Sequence, residues 1–383
     1  MLTHQKDKFS LPEHITYLNG AYMSPQLKTV EKIGIEALSK KSFPYEYTVD
    51  DFFDGATKLR KVFANFIDAP DYLNTAIIPS VSYGMATVAR NIQLKKGDEI
   101  IIAEAQFPSN VYAWQELAKK YDATLKIVSP PKDYTNRGKI WNQNILDAIN
   151  SKTALVAIAP IHWADGTLFD LKAIRQKTNH HDALLVIDGA QALGALPFSV
   201  KEIQPDALIT VGYKWLLGPY GLGMAYYSDK FLNGDPIEYS WINRYNSEDF
   251  TQLVNYQENY QPKAGRFNMG EYSNFITVPM LTKSIEQLAE WQPKNIEQYC
   301  KSISAKAIDT LRELGCFIEE DSYRGKHMFG VYLPKHIDLS KLKQQLIENN
   351  IYVSYRGDAI RVSPNVYNNE NDFEKMISCF QNI

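Results

Sequence analysis

Cysteine is scarce in this chain. Only Cys300, Cys316 and Cys379 occur, an odd set without the paired spacing of a metal site, which argues against a disulfide framework and suits a reducing compartment. Long apolar runs are also missing. No stretch reaches the roughly 18 residues of a membrane span, and the opening MLTHQKDKFS lacks the apolar core of a secretion signal. Charge of one sign is not in excess: 41 Lys and Arg stand against 44 Asp and Glu, net −3, which gives no support for a nucleic-acid or membrane-surface partner. No repeat, low-complexity tract or glycine-serine linker breaks the sequence. Neither GxGxxG nor the Walker pattern follows the first strand signal, which counts against a nucleotide-binding oxidoreductase. What is left is the expectation of a soluble, cytoplasmic enzyme. At 383 residues and 45% apolar content it has enough for a sizeable core and for two domains sharing a cleft.

Strand and helix signals alternate through the first two thirds. Apolar, β-rich runs at Thr75–Ile78, Glu99–Ala103, Leu125–Val128, Ala154–Ala159, Leu184–Ile187, Ala207–Val211 and Met224–Tyr227 predict strands. Helical patterns such as Val111–Lys120 and Leu171–Lys177 lie between them, and two more, near 26–40 and 52–67, precede them. This is the pattern of an α/β fold with a mostly parallel sheet between helices. After Pro279 the pattern changes to helices at Met280–Trp291 and Ile296–Leu314 with short strands at Cys316–Glu319, Met328–Leu333 and Tyr352–Ser354, a smaller α+β unit. We expect an N-terminal segment 1–20 crossing the cleft, a large domain 21–265 and a small domain 266–383, with the boundary near 260–280.

The most informative stretch runs from Ala183 to Gly223. One buried-strand pattern ends in Asp188, and the next ends in Gly212-Tyr213-Lys214 before the loop Leu217-Gly218-Pro219-Tyr220-Gly221. Neighbouring parallel strands open their carboxyl ends onto one crevice. An acid and a lysine would thus face one pocket, each alone on an apolar element. Pyridoxal 5'-phosphate chemistry uses that pair: the lysine bonds the cofactor and the acid keeps the ring nitrogen protonated, so that the ring draws electrons. The alternative is a surface lysine and a helix N-cap aspartate.

This block resembles the active-site strands of class V aminotransferases, fold-type-I pyridoxal-phosphate enzymes that include cysteine desulfurases, selenocysteine lyases, kynureninases and isopenicillin N epimerases. The resemblance runs from Tyr17 to Tyr367 and is most specific at Asp188 and Lys214. It implies a seven-stranded sheet, a homodimer with active sites shared between chains, and an amino-acid substrate. Lys214 would form the Schiff base and later move the proton at Cα, and Asp188 would hold the ring nitrogen. Gln191 stands where many members carry a histidine; it can hydrogen-bond the ring oxygen but cannot titrate.

Other positions follow from the same resemblance, each beside a plainer reading. Val81 and Ser82, at the start of a helix after a strand, would bind the phosphate, although Ser80 or Ser82 also reads as a simple N-cap. Tyr213 would reach the same phosphate. Phe107, in Ala105-Gln106-Phe107-Pro108-Ser109-Asn110, would stack on the cofactor ring, with Asn110 beside it; the alternative is a core phenylalanine before a turn. His162, Trp163 and Asp165 follow another strand end and would approach the cofactor or substrate, with His162 and Asp165 as proton carriers or as a structural pair. Arg361 would clamp the substrate carboxylate, or else be an edge-strand surface arginine, and Asn19 belongs to the segment crossing the cleft. The loop at Gly270 and Asn274 would offer phosphate contacts to the second subunit. Glu271 replaces a family threonine there, so either Asn274 or Ser273 takes over, or Glu271 pairs with Arg266 and only the Gly270 amide contributes.

The resemblance also orders the reactions. Desulfurases place a nucleophilic cysteine on a loop shortly before the carboxylate arginine, and Gln344–Ile360 contains none. The expectation is therefore Cα or Cβ chemistry of lyase, epimerase or aminotransferase type without a metal. Selenocysteine lyase or cysteine desulfurase-like activity, or cofactor binding without turnover, are the alternatives.

Overall fold

The computed structural model describes residues 2–383. Its elements are β1 (Thr16–Tyr17), α1 (Lys28–Lys40), α2 (Asp54–Phe66), β2 (Thr75–Ile78), α3 (Val81–Arg90), β3 (Glu99–Ala103), α4 (Tyr112–Tyr121), β4 (Thr124–Val128), α5 (Arg137–Ala148), β5 (Thr153–Ile158), α6 (Leu171–His180), β6 (Leu184–Asp188), α7 (Val200–Ile203), β7 (Ala207–Val211) and β8 (Gly223–Tyr227). Then come α8 (Thr277–Trp291), α9 (Pro293–Glu313), β9 (Phe329–Tyr332), α10 (Leu339–Glu348), β10 (Ile351–Tyr352), β11 (Ser354–Arg356), β12 (Ala359–Val362) and α11 (Glu370–Gln381). No helix among the described residues is long and apolar enough to cross a membrane.

Seven strands form one sheet in the order β2-β8-β7-β6-β5-β3-β4, and only β8 runs against its neighbours. β7 is buried at every position and β6 at all but its first, as expected of strands covered by helices on both faces. Alternate residues part to opposite sides. Ile101, Val156, Leu185, Ile187 and Leu208 join one core layer, while Ile100, Leu155, Val186, Ala207 and Ile209 join the other.

A second, antiparallel sheet, β11-β12-β9, carries its own apolar cluster with Phe329, Val331, Ile360, Val362, Leu342 and Phe373. That cluster starts at Ile303 within the second half of the chain. α8 packs on α1 and α2, and its Leu281, Ile285 and Leu288 belong with the large sheet's core. β1 pairs with β10, and the Gly20 N–H donates to the Ser363 carbonyl, so the N-terminal segment is stitched to the second sheet. The strand expected at Cys316–Glu319 is not formed. Only Phe317 pairs there, with Tyr332.

Candidate active site

The carboxyl ends of β5, β6 and β7 and the start of α3 enclose a cavity of about 310 Å³. Asp188 closes β6, so the strand's apolar run carries its carboxylate into the interior, where it is 5% exposed. The Ala190 N–H donates to it at 3.0 Å. Lys214 follows β7 through a turn that Gly212 keeps tight, since a Cβ there would lie 2.9 Å from the Leu222 carbonyl oxygen. The lysine is 6% exposed, and its Nζ lies 5.1 Å from the Phe107 ring centre and 5.6 Å from that of Tyr213. Both side chains line the cavity, and they form no ion pair with each other.

Burial sets the protonation of both groups. It lowers the Lys214 amine from its ordinary value to about 8; Asp188 opposes this, and Arg361 and Arg356 reinforce it. Burial likewise raises the Asp188 carboxyl, against the Ala190 amide and Lys214. A lysine with no hydrogen bond and an acid with a single amide donor face the same space. A polar ring that bonds the amine and presents a protonated nitrogen to the acid would satisfy both, so these residues fit pyridoxal phosphate.

The opposite end of the cavity fits an anion. Ser80 caps α3, its Oγ accepting from the Tyr83 N–H at 3.2 Å and lying 2.9 Å from Ser82 Oγ. Val81 and Ser82 line the cavity with the first turn behind them. Gly84 brings that turn onto the sheet: a Cβ there would lie 2.5 Å from Ile209 Cγ2. The cap and the cavity wall that would receive an anion are thus the same structure. Tyr213 forms part of this wall together with Tyr220, their rings 4.6 Å apart.

Phe107 lines the cavity and meets Trp163 edge-on at 5.3 Å. The turn before it is held unusually firmly. Ala105 has a left-handed φ of 51°. The Trp163 indole N–H donates to its carbonyl at 2.6 Å, and His162 Nε2 lies 3.2 Å from the carbonyls of both Glu104 and Ala105.

His162 and Asp165 are bonded to each other and to fixed partners. Nδ1 of His162 lies 3.1 Å from Asp165 Oδ1, which also accepts from the Thr167 amide and hydroxyl. Oδ2 accepts from Tyr332 at 2.9 Å and from Arg137 at 2.8 Å. Burial alone would raise the Asp165 carboxyl, but His162, Arg137 and the Thr167 amide together hold it well below the usual range. Removing one partner of such a buried pair leaves a charge stranded. Arg137→Met is accordingly expected to cost about 3–5 kcal/mol in urea unfolding at pH 7.

Gln191 lines the cavity with its orientation fixed. The Trp215 indole N–H donates to Oε1 at 2.8 Å, and Nε2 donates to the Ala21 carbonyl at 3.0 Å. One amide N–H stays free. Behind Trp215 stands buried His327, whose Nε2 lies 2.7 Å from the Gln191 carbonyl oxygen. Arg361 on β12 is 1% exposed and sits behind Trp163, not on the cavity wall. It donates to the Trp163 carbonyl at 2.7 Å, while its Nε is buried without an acceptor. Asn19 does not reach the cavity either: Ser354 donates to its Oδ1 at 2.7 Å and lies 3.5 Å from Arg361, so Asn19 backs the arginine.

Three further positions lie outside this chain's cavity. Asn110 is buried with Oδ1 accepting from the Trp114 indole at 2.8 Å. Asn274 Oδ1 accepts from the Ile276 and Thr277 amides at the start of α8. The Gly270 amide donates to Glu238. Arg266 does not pair with Glu271 but stacks on Tyr260, at 5.2 Å, and donates to the Gly234 carbonyl. Sequence reading passed over Tyr220, although it sits in the glycine-bounded loop after Lys214. It also passed over His327 and Arg356, which no local pattern marks.

The family model "Aminotransferase class-V" matches residues 47–375. A "Probable cysteine desulfurase" of Staphylococcus epidermidis is 30% identical over 203 residues, 51% of this chain and 48% of the relative. The match thus spans about half the length of that curated relative. "Uncharacterized aminotransferase YcbU" of Bacillus subtilis is 26% identical over 320 residues, 83% of this chain and 81% of the relative. Among solved structures, the complex of the cystine C-S lyase C-DES with its product cysteine persulfide superposes with a TM-score of 0.83 at 17% identity, covering 96% of this chain and 97% of that one. That likeness shows the fold. The family match covers most of the chain: it belongs to the class V aminotransferases, whose cofactor is pyridoxal phosphate.

Proposed function

We propose that this protein acts at Cα or Cβ of an amino acid as a lyase, epimerase or aminotransferase, with Lys214 as the residue that carries the cofactor. The observation that carries this reading is the pair of buried, mutually unbonded groups, Lys214 and Asp188, facing one cavity. Bound there, pyridoxal phosphate supplies an electron sink for charge developing at the substrate's Cα. Asp188 holds the ring-nitrogen proton. Phe107 would cover the cofactor, the free N–H of Gln191 would be its polar partner, and the first turn of α3 with Ser82 and Tyr213 would hold the phosphate. Arg361 offers its buried, unpaired Nε region to the α-carboxylate, supported through Ser354 by Asn19. Lys214, once released, moves the proton at Cα. His162 is engaged by backbone carbonyls and Asp165, which leaves it a positioning residue.

A thiol-dependent desulfurase or selenocysteine lyase remains the second reading, favoured by the names of relatives. Against it, all three cysteines are buried outside the cavity lining, and burial raises each thiol. We also infer a cytoplasmic homodimer in which Gly270 and Asn274 approach the partner's phosphate. The two-domain division we place at α9 near Ile303, later than residue 266, with segment 1–20 tied to the smaller part.

Borohydride reduction with peptide mapping tests the central claim. A visible absorption band abolished by reduction, with a pyridoxyl mass on Lys214, supports it. A colourless protein after incubation with the cofactor, or a label on another lysine, overturns it. The lysine's depressed pKa adds a pH expectation. Only the neutral amine attacks the aldehyde, so the rate at which apoprotein takes up cofactor rises with pH and levels off above about 8, not above the ordinary 10.5. Stopped-flow absorbance across pH 6–10 reads this directly.

A further inference from the structure

Arg361 is not the only guanidinium at this site. β11 and β12 pair antiparallel with Ser354 opposite Arg361 and Arg356 opposite Ala359. Ser354, Arg356 and Arg361 therefore share one face of the hairpin, with the two arginines as diagonal neighbours roughly 7–8 Å apart. Both guanidinium groups sit over Trp163, at 5.5 Å for Arg356 and 5.9 Å for Arg361. Trp163 lines the cavity and neither arginine does, so the pair stands against the indole that forms part of the cavity wall. The turn between the strands uses Gly357 at a φ of 56°, which keeps the hairpin tight.

Neither arginine is neutralised. Arg356 makes a single hydrogen bond, to the carbonyl of Tyr355 at 2.7 Å, and Arg361 bonds only Trp163 and Ser354. No carboxylate lies within ion-pair distance of either among the described residues. The acids nearest the cavity are already assigned: Asp165 is saturated by five donors, and Asp188 faces Lys214. Two like charges stacked on one indole repel each other unless anions join them. One anion is the substrate's α-carboxylate. Arg356 is left without an anion, and its half-buried planar fork is suited to a second carboxylate.

We propose that Arg356 forms a second anion subsite beside Trp163 and that the substrate is a dicarboxylic amino acid. This rests on the reading of Arg361 as the α-carboxylate ligand. The side-chain carboxylate would lie against Arg356 and Trp163, outside the region where the cofactor is held. Arg356 would then set specificity and Arg361 would hold what all amino acids share.

The test compares succinate with butyrate as non-reacting ligands of the holoenzyme, followed by tryptophan fluorescence, and L-aspartate with L-asparagine as substrates by kcat/KM. Succinate is expected to bind about ten- to a hundredfold tighter than butyrate, the range of a charge-assisted hydrogen-bond pair. In Arg356→Gln that ratio falls toward one, while Arg356→Lys keeps part of it. Arg361→Gln weakens both ligands. Equal binding of the two acids by the wild type, or a ratio unchanged in Arg356→Gln, overturns the second subsite. Mapping of the pyridoxyl label on Lys214 reads the cofactor assignment separately, so a correct label with no succinate preference sinks this inference alone.

Discussion

Lys214→Ala is expected to lower kcat by about a thousandfold or more, because one residue supplies both the covalent hold on the cofactor and the proton carrier at Cα. The protein should nevertheless fold at least as well. In the wild-type apoprotein the amine is buried without a partner, and its pKa falls from 10.5 to about 8. Below pH 8 both folded and unfolded chains hold the proton, and the folded state carries the full burial cost, about 3 kcal/mol. As pH rises from 8 to 10.5 the folded amine is neutral while the unfolded one still binds a proton, so wild-type stability climbs through that window. Alanine removes the group, and the climb with it. Urea unfolding of apoprotein at pH 7 and pH 10 checks this. Lys214→Arg separates charge from chemistry: arginine stays protonated, so it should lose activity as fully as alanine does. An arginine variant with substantial activity would show that the amine neither bonds the cofactor nor moves the proton.

The burial that shifts this lysine also explains how much of the site was legible in the sequence. β6 and β7 are uninterrupted apolar runs, and a polar residue ending such a run has nowhere to go but the crevice at the strand ends. The places of Asp188 and Lys214 were readable for that reason, as was the helix start at Ser80, where a local cap borders the cavity. Contacts that depend on distant segments were not. For Arg361 the sequence could not show its support: it bonds the Trp163 carbonyl and is tied through Ser354 to Asn19, three segments that meet only in the fold. The partners of the His162–Asp165 pair were not legible either: Arg137 and Tyr332, which both bond Oδ2 of the acid, come from distant segments. α5, which brings Arg137, is the least distinct of the helices between the strands, because its sequence RGKIWNQNILDA separates polar and apolar faces poorly. The strand expected at Cys316–Glu319 failed for a related reason. Its apolar residues serve the smaller core from an irregular segment, and only Phe317 finds a ladder partner.

Asp188→Asn makes the converse test, removing a charge while keeping shape. The amide oxygen can still accept from the Ala190 N–H, so the turn after β6 should hold. What disappears is the anion that keeps a ring nitrogen protonated, and the expected loss in kcat is about 10²–10³-fold, that of removing one preorganised electrostatic partner. Cofactor attachment should persist, since Lys214 is untouched, and the pyridoxyl label should remain on that lysine. Its pH dependence should move, however. Asp188 now favours the ammonium form of Lys214 and so raises its pKa against the effect of burial. Without the anion, the amine deprotonates more easily, and the midpoint for cofactor uptake should fall below the wild-type value of about 8. A midpoint that stays in place, or rises, would mean that the two groups do not sense each other across the cavity. A lowered midpoint together with a large loss in kcat is the joint signature of an acid that serves the ring nitrogen and biases the lysine at once.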